Sequence, residues 1–260
     1  MDITEFIIAL FPMLIAALIC WMISYVKKDV SIVDSLWSIF FIIASSYAYM
    51  QLEEPSLRAM IVMLLVTIWG IRLSLYITIR HWGHAEDHRY QEIRSNNSPY
   101  FKFKSLYLIF GFQAAIAWVI ALPLFYSISS SSELTVFDYL GVCLWIVGMY
   151  FESVSDYQLY KHKADPANTG RIMGSGLWKY SRHPNYFGEF LIWWGYFCFA
   201  ISSGNYLTII SPLLMTFLLM KFSGVFLLEK TMKQRPGYAE YMNSTNAFFP
   251  WISKVGGRYE

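Results

Sequence analysis

The fold is decided by long apolar runs, of which the first is Ile3–Lys28, ITEFIIALFPMLIAALICWMISYVKK. This run has one charged residue, Glu5, before it ends in two lysines. About 20 mostly apolar residues cross the hydrocarbon of a bilayer as a helix. Acidic Asp2 and Glu5 stand where a signal peptide would be basic, so we expect the run to be kept as a membrane span.

Similar runs recur along the whole chain, of which 56% is hydrophobic and only 15% charged. Soluble domains have about a quarter charged residues. The predicted spans are Ile3–Val26, Val30–Met50, Leu57–Ile79, Leu106–Ile128, Leu134–Tyr157, 184–201 and Tyr206–Leu228, followed by a tail over 229–260. The sequence therefore predicts an all-α integral membrane protein, a single multi-pass domain over 1–260 with a bundle of about seven transmembrane helices.

The basic residues predict how these spans are oriented. Cytoplasmic loops carry an excess of Lys and Arg. The loops after spans one, three and five and the tail hold 17 of the 20 basic residues: Lys27, Lys28, Arg80, Arg89, Arg94, Lys102, Lys104, Lys161, Lys163, Arg171, Lys179, Arg182, Lys230, Lys233, Arg235, Lys254 and Arg258. The opposite side has only Arg58. We expect the N-terminus outside and the C-terminus in the cytoplasm.

Ionisable residues within spans mark possible sites, because an unpaired charge in the bilayer costs several kcal/mol. Asp34, Arg72, Glu152 and Asp156 are such residues, and all four lie toward the predicted cytoplasmic ends. The alternative is structural, since Asp34 and Arg72 could form an ion pair that only fixes helix packing. Both interpretations stay open at this point.

The stretch Arg171–Glu189, RIMGSGLWKYSRHPNYFGE, concentrates polar residues and glycines at the mouth of the sixth span. Pro184 stands where the first turn of a helix would start. A helix N-terminus beside arginines suits a phosphate group. The alternative is that these basic residues only follow the charge rule for cytoplasmic loops.

Several other classes of site are missing from the sequence. Neither GxGxxG nor GxxxxGK[ST] occurs, so no Rossmann domain or P-loop is predicted. The three cysteines are too far apart for a disulfide framework or a zinc finger. His81, His84 and His88 have near-helical spacing, but the chain has only five histidines, and we expect no metal and no nucleic acid partner.

Three motifs resemble the steroid 5α-reductase family, in particular its bacterial branch. They are SDYQLYKHK (Ser155–Lys163), GLWKYSRHPNYFGE (Gly176–Glu189) and WWG (Trp193–Gly195). DSLW (Asp34–Trp37) and EDHRY (Glu86–Tyr90) are similar to the N-terminal half of the same branch. The resemblance implies an NADPH-dependent enzyme that reduces a C=C bond conjugated to a ketone in a lipophilic, steroid-like substrate. It also implies a bacterial cytoplasmic membrane, or the endoplasmic reticulum of a eukaryote, with the active site facing the cytoplasm.

The resemblance and the local sequence assign the site residues. The catalytic residues implied are Asp34 and Tyr76. The cofactor-binding residues are Asp156, Lys163, Arg171, Tyr180, Arg182, His183, Asn185, Tyr186 and Glu189, with Arg182 and His183 taken from local sequence alone. A supporting polar network comprises Trp37, Arg72, Arg80, Asp87, Arg89 and Glu152.

The catalytic role of Asp34 has two forms. A protonated Asp34 could donate a hydrogen bond to the substrate carbonyl, and burial would favour that form. A nearby arginine would instead keep Asp34 ionised and leave it to orient other groups. Tyr76 can donate at any ordinary pH.

Two alternative functions remain. RHPNY (Arg182–Tyr186) and the segment Leu227–Pro250 also resemble the isoprenylcysteine carboxyl methyltransferase group, which uses S-adenosylmethionine. That cofactor is a sulfonium without phosphates, and we expect carboxylates and aromatic rings around it. A transporter or other non-catalytic membrane protein is the third class, and it predicts a continuous polar path through the bilayer.

Overall fold

The computed structural model describes residues 3–222 and 225–252, and within these ranges the chain is helical, without strands. The α-helices are α1 (Ile3–Ile8), α2 (Leu10–Lys27), α3 (Ile32–Met50), α4 (Leu57–His81), α5 (His88–Asn96), α6 (Phe101–Ser105), α7 (Phe112–Ile120), α8 (Leu122–Ile128), α9 (Val136–Ala164), α10 (Pro184–Ser202), α11 (Ile210–Phe217), α12 (Val225–Met232) and α13 (Tyr238–Ser244). Lys254 and Arg258, part of the predicted tail, lie outside the described residues.

Five helical segments are long and apolar enough to cross a membrane, by length and composition. They are Thr4–Lys27, Ile32–Met50, Leu57–His81, Phe101–Ile120 and Val136–Ala164. Each overlaps one of the first five predicted spans. The chain is therefore a helical membrane protein.

The last two predicted spans have less support. Helix α10 covers the sixth span with 19 residues, but it is not among the five segments and carries Asn185 and Glu189 near its start. The seventh span contains a shorter apolar helix, Tyr206–Lys221. The count of seven and the sides of the termini stay predictions.

Cα packing divides the chain into two compact units. Unit 1 comprises Met1–Thr135 and Phe199–Thr208, and unit 2 comprises Val136–Cys198 and Ile209–Glu260. Each unit is described by itself below. The expectation of a single domain stays a prediction.

In unit 1, α3 and α4 pack closely because of a glycine. A Cβ atom on Gly70 would lie 2.8 Å from the Ile42 side chain and 3.1 Å from the carbonyl oxygen of Ser38. Ser38 Oγ donates a hydrogen bond to the carbonyl oxygen of Gly70 at 2.8 Å. Small residues let membrane helices approach closely, and a hydroxyl that bonds across the contact adds to it.

Arg58, at the start of α4, is fully buried and its side chain forms several hydrogen bonds. Its Nη1 donates to Ser132 Oγ at 2.6 Å and to Ser130 Oγ at 3.0 Å. Its Nη2 donates to the carbonyl oxygen of Glu133 at 2.6 Å and to Ser202 Oγ at 2.7 Å. The one basic residue that the sequence placed on the outer side thus joins three segments of unit 1.

In unit 2, α9 and α10 touch backbone to backbone. A Cβ on Gly148 would lie 2.6 Å from the carbonyl oxygen of Gly188, and one on Gly188 would lie 2.5 Å from the amide nitrogen of Glu152. Seven residues further along α10, a Cβ on Gly195 would lie 2.8 Å from the carbonyl oxygen of Gly141. This close contact holds Glu152 and Asp156 of α9 beside the first turns of α10.

Candidate functional site

In unit 1, a group of polar side chains surrounds Asp34 in the first turn of α3. Tyr90 Oη donates to Asp34 Oδ1 at 2.5 Å, and Arg89 Nη2 donates to Asp34 Oδ2 at 2.8 Å. Gln113 Nε2 of α7 donates to Tyr90 Oη at 3.1 Å. Arg89 also bonds to both carboxylate oxygens of Asp87. We call these five residues the Asp34 centre.

Hydrogen bonds fix the segment that carries Arg89 and Tyr90, which begins just before α5 and continues into it. Asp87 caps α5 by accepting from the Arg89 amide, and its own amide donates to Ser31 Oγ at 2.8 Å. Glu86 accepts from the Val30 amide at 2.9 Å and from Arg94 at 2.7 Å. These contacts fix the segment Glu86–Arg94 against the turn that precedes α3.

The pKa values of Asp87, Arg89 and Tyr90 are shifted by burial and by the charges around them. Burial raises the pKa of Asp87, but hydrogen bonds and charge from Arg89 outweigh burial and lower it overall. Burial lowers the pKa of Arg89, and Asp34 and Asp87 more than reverse this. Burial, followed by the charge of Asp34, raises the pKa of Tyr90 well above its usual 10. Arg89 therefore stays a cation and Tyr90 a neutral phenol at ordinary pH.

Tyr76, the other predicted catalytic residue, lies between two arginines on α4. The guanidinium carbons of Arg72 and Arg80 lie 5.4 and 5.5 Å from the centre of its ring. A cation at this distance from an aromatic face is attracted to it. Trp37 packs edge-on against Phe41, with ring centres 5.4 Å apart. Asp34 forms an ion pair with Arg89, a residue that the sequence analysis assigned to the supporting polar network.

In unit 2, hydrogen bonds join two of the three motifs that carry the family resemblance, Ser155–Lys163 and Gly176–Glu189. Asn185 Nδ2 donates to Asp156 Oδ1 at 3.2 Å, and Trp178 Nε1 donates to the carbonyl oxygen of Ser155 at 3.0 Å. The Leu177 amide donates to Gln158 Oε1 at 3.0 Å. Motifs about 20 residues apart thus form one contact between the end of α9 and the loop before α10.

Gly176 allows that contact. Its φ is +59°, a conformation that favours glycine. A Cβ atom here would lie 2.5 Å from Gln158 Nε2, the same side chain that accepts from Leu177. Gly176 is the first residue of the second motif, and both its backbone conformation and its close contact with Gln158 require a glycine.

Arg182 does not project into solvent as a free phosphate ligand would. It is 8% exposed, and its Nη2 lies 2.6 Å from Glu229 Oε1. Its Nη1 donates to the carbonyl oxygens of Met242 and Thr245 at 3.1 and 2.5 Å. Arg182 therefore connects α12 and the end of α13 to the loop before α10. We call this set of contacts the clamp.

His183 belongs to the same clamp. Its ring stacks on Tyr186 with centres 5.7 Å apart and an angle of 4°. Its Nε2 atom is 3.5 Å from Glu229 Oε1. Burial raises the pKa of Glu229, but the neighbouring His183 and Arg182 outweigh burial and lower it overall.

The other predicted cofactor residues fall into two groups. Asp156 and Glu189 are buried, as is Glu152 of the predicted supporting network, and Glu189 accepts from Trp193 Nε1 at 3.0 Å. Lys163, Arg171 and Tyr180 are exposed. The exposed cations lie at the surface of unit 2, whereas the carboxylates line the contact of α9 with α10.

Two open clefts of about 310 and 550 Å³ lie elsewhere in unit 1. The first is lined by Glu5, Tyr47, Ala48, Gln51, Leu52, Phe125 and Ser129, and the second by Tyr126, Ser129, Ser130, Ser131, Ser132, Ser202, Ser203, Gly204 and Asn205. Neither contains a residue predicted for the site. The second cleft adjoins the serines that bind Arg58.

The sequence interpretation missed three residues of these groups. Tyr90 was the last residue of EDHRY and Gln113 was an amide within an apolar run, which is a signal in a membrane helix. Glu229 follows the last apolar run, and nothing in the sequence connects it to Arg182. Only the contacts in the folded structure identify these three residues as part of the groups.

Comparisons with known proteins give one relative and one family model. The uncharacterized protein C594.04c of Schizosaccharomyces pombe is 27% identical over 282 residues, covering 94% of this chain and 79% of that protein. No solved structure gives a significant match. A family model described as "Protein of unknown function (DUF1295)" matches residues 20–245. The chain therefore belongs to the DUF1295 family.

Proposed function

We propose that this protein is an NADPH-dependent reductase of a C=C bond conjugated to a ketone in a lipophilic, steroid-like substrate. The DUF1295 family is associated with steroid 5α-reductase-like membrane proteins. The observation that carries the proposal is the contact between Asp156 and Asn185, because it joins the two motifs of the resemblance. This contact lies beside a loop with exposed cations.

The residues of unit 2 fit a phosphate-bearing cofactor in part. Lys163, the last residue of the first motif, and Arg171, between the two motifs, are exposed, and cations of this kind bind phosphates. Asn185 and Tyr186 in the first turn of α10 supply polar groups beside that helix's N-terminus. Arg182 has a different role, since its side chain is committed to Glu229, Met242 and Thr245.

In the reaction, bound NADPH would supply a hydride to the β-carbon of the enone. The electron pair of the C=C bond moves toward the carbonyl oxygen, and a proton from water completes the α-carbon. Tyr76 donates a hydrogen bond to that oxygen as charge develops. One well-placed donor of this type lowers a barrier by about 3–4 kcal/mol.

The location proposed for this chemistry is the cytoplasmic side of the membrane. The positive-inside rule places the loops that contain Lys163 and Arg171 there, where NADPH is present. In the proposed topology seven spans run from an outer N-terminus to a cytoplasmic C-terminus, and the lipophilic substrate enters from the bilayer. A bacterial cytoplasmic membrane is the first choice.

The test uses purified protein in detergent with NADPH and progesterone, a 3-oxo steroid with a conjugated C=C bond, as the probe. We expect NADPH oxidation together with a product heavier by two hydrogens in mass spectrometry. Arg171→Ala should raise the KM for NADPH about 10-fold while kcat changes little. Lys179→Ala is the matched control, because it removes one exposed cation of the same loop without a predicted cofactor role.

A second candidate, an S-adenosylmethionine-dependent methyltransferase, is favoured by one observation. Unit 2 buries the carboxylates of Glu152, Asp156 and Glu189, and the indole ring of Trp193 donates a hydrogen bond to Glu189 at 3.0 Å. Carboxylates and rings suit a sulfonium cation better than a phosphate. Binding of S-adenosylmethionine but not of NADPH would select this candidate.

A further inference from the structure

The hydrogen bonds of the Asp34 centre determine where its protons lie. Tyr90 Oη accepts from the Gln113 amide, so its own hydrogen is directed to Asp34 Oδ1. Arg89 has only donors, and one of them is directed to Asp34 Oδ2. Both oxygens of Asp34 therefore act as acceptors.

A protonated Asp34 does not fit this arrangement. A hydrogen on Oδ2 would face the Arg89 guanidinium at 2.8 Å, where two donors would oppose each other. A hydrogen on Oδ1 would require Tyr90 to accept it while also accepting from Gln113, and the Tyr90 hydrogen would lose its partner. A buried donor without a partner is costly.

We infer that Tyr90, oriented by Gln113 and acting with Arg89, is a positioning residue that holds Asp34 as a carboxylate. This role in catalysis rests on the proposed reductase. There, Asp34 orients neighbouring side chains and does not supply a proton to the substrate. Tyr76 is then the hydrogen-bond donor to the substrate carbonyl. This choice resolves the two roles that the sequence left open for Asp34.

The charged groups facing the Asp34 centre are consistent with a fixed charge state. Arg89 and Asp87 lie on one side, and His81 at the end of α4 interacts electrostatically with Asp34, Asp87 and Arg89. Tyr90 is 6% exposed, and its raised pKa keeps it a neutral phenol at ordinary pH. Tyr90 can therefore donate to Asp34 throughout the pH range in which the protein is handled.

The test is the infrared spectrum of the purified protein at neutral pH, as the difference between wild type and Asp34→Asn. We expect carboxylate bands for Asp34 and no carboxylic acid C=O band. In Tyr90→Phe the Asp34 carboxylate bands should shift, because one of its two donors is removed. An acid C=O band in the wild type, or Asp34 bands that are identical in wild type and Tyr90→Phe, would overturn the inference.

Two further variants keep the test decisive if Tyr90→Phe does not fold. Gln113→Leu leaves the Tyr90 hydroxyl in place but removes the group that orients it, so a smaller shift of the same bands is expected. Arg89→Lys keeps the positive charge and should preserve the wild-type bands better than Arg89→Met. Equal effects of Lys and Met at position 89 would contradict a role for its charge.

Activity separates this inference from the proposed function. With NADPH and progesterone, Tyr90→Phe should lower kcat about 10-fold or more and leave the KM for NADPH unchanged. If the infrared bands behave as expected but no variant oxidises NADPH, the reductase proposal fails and the charge state of Asp34 stands. If turnover is present but the bands do not respond to Tyr90→Phe, the inference fails and the reductase stands.

Discussion

At the residue scale, Arg58 shows what a count of basic residues per side of the membrane can predict and what it cannot. The sequence identified it as the one basic residue against 17 on the other side. The structure explains the exception, because Arg58 is fully buried and its donors are taken by serine hydroxyls and loop carbonyls. The count could find the residue, but its partners are far from it in sequence and only the fold brings them together.

The sequence predicted that Arg182 binds the cofactor. In the structure its side chain instead contacts Glu229 and the carbonyl oxygens of Met242 and Thr245. Removing one partner of a buried ion pair leaves the other charge uncompensated. We expect Arg182→Met to lower stability by about 3–5 kcal/mol, measured by thermal unfolding in detergent. Lys179→Met, an exposed change in the same loop, should leave the unfolding midpoint nearly unchanged. If the two variants unfold alike, the clamp on α12 and α13 does not contribute to stability.

The clamp also predicts a dependence on pH. The pKa of Glu229 lies below its ordinary 4.5 in the folded protein. Its stabilisation is therefore complete above about pH 4.5 and is lost as the pH falls through the folded-state pKa. The unfolding midpoint of the wild type should exceed that of Glu229→Gln at pH 7, and the difference should shrink toward pH 3.

The control for this titration is Glu54→Gln, which changes an exposed carboxylate in the loop between α3 and α4. This variant should follow the wild type at every pH. A constant difference between the wild type and Glu229→Gln from pH 7 to pH 3 would mean that Glu229 does not titrate as a partner of Arg182.

At the scale of elements, apolar runs predicted where helices lie better than where they end. Predicted span Leu134–Tyr157 starts before α9 (Val136–Ala164), and α9 continues beyond the span through a polar last turn with Lys161 and Lys163. Predicted span Leu106–Ile128 covers two helices, since α7 ends at Ile120 and α8 starts with Pro123 in its first turn. Proline at that position starts a new helix.

The contact of α9 with α10 gives a prediction about helix packing. Gly188→Ala would place a methyl group 2.5 Å from the backbone of α9, which cannot move aside as a side chain can. We expect a loss of about 1–3 kcal/mol in unfolding free energy, together with a weaker Asp156–Asn185 contact and weaker cofactor binding. Cys143→Ala, an exposed change on α9, is the control. Wild-type stability in Gly188→Ala would show that the helices are not in backbone contact.

At the scale of the whole molecule, composition predicted a helical membrane protein, which the five spanning segments confirm. The sites could be predicted only in outline. Motifs indicated which segments of unit 2 matter, but the commitment of Arg182 to Glu229 and of Asp34 to Tyr90 depends on contacts across the fold. Charge patterns contain no information about such pairings.

Topology is tested by labelling single cysteines in a variant that lacks Cys20, Cys143 and Cys198. We expect Thr169→Cys to react with a membrane-impermeant maleimide only after the cytoplasmic side is opened, and Ser131→Cys to react from outside in intact cells. Both positions lie in exposed or half-exposed loop segments. Labelling of Thr169→Cys from outside would place the cation-bearing loop away from cellular NADPH.

The central claim is that the loop between α9 and α10 binds a phosphate-bearing dinucleotide. The most direct measurement is calorimetric titration of the purified protein with NADPH, NADH and S-adenosylmethionine, in wild type, Arg171→Ala and Lys179→Ala. We expect NADPH to bind the wild type and Lys179→Ala alike, and Arg171→Ala about 10-fold more weakly. Binding of S-adenosylmethionine without NADPH, or NADPH binding that is indifferent to Arg171, would contradict it.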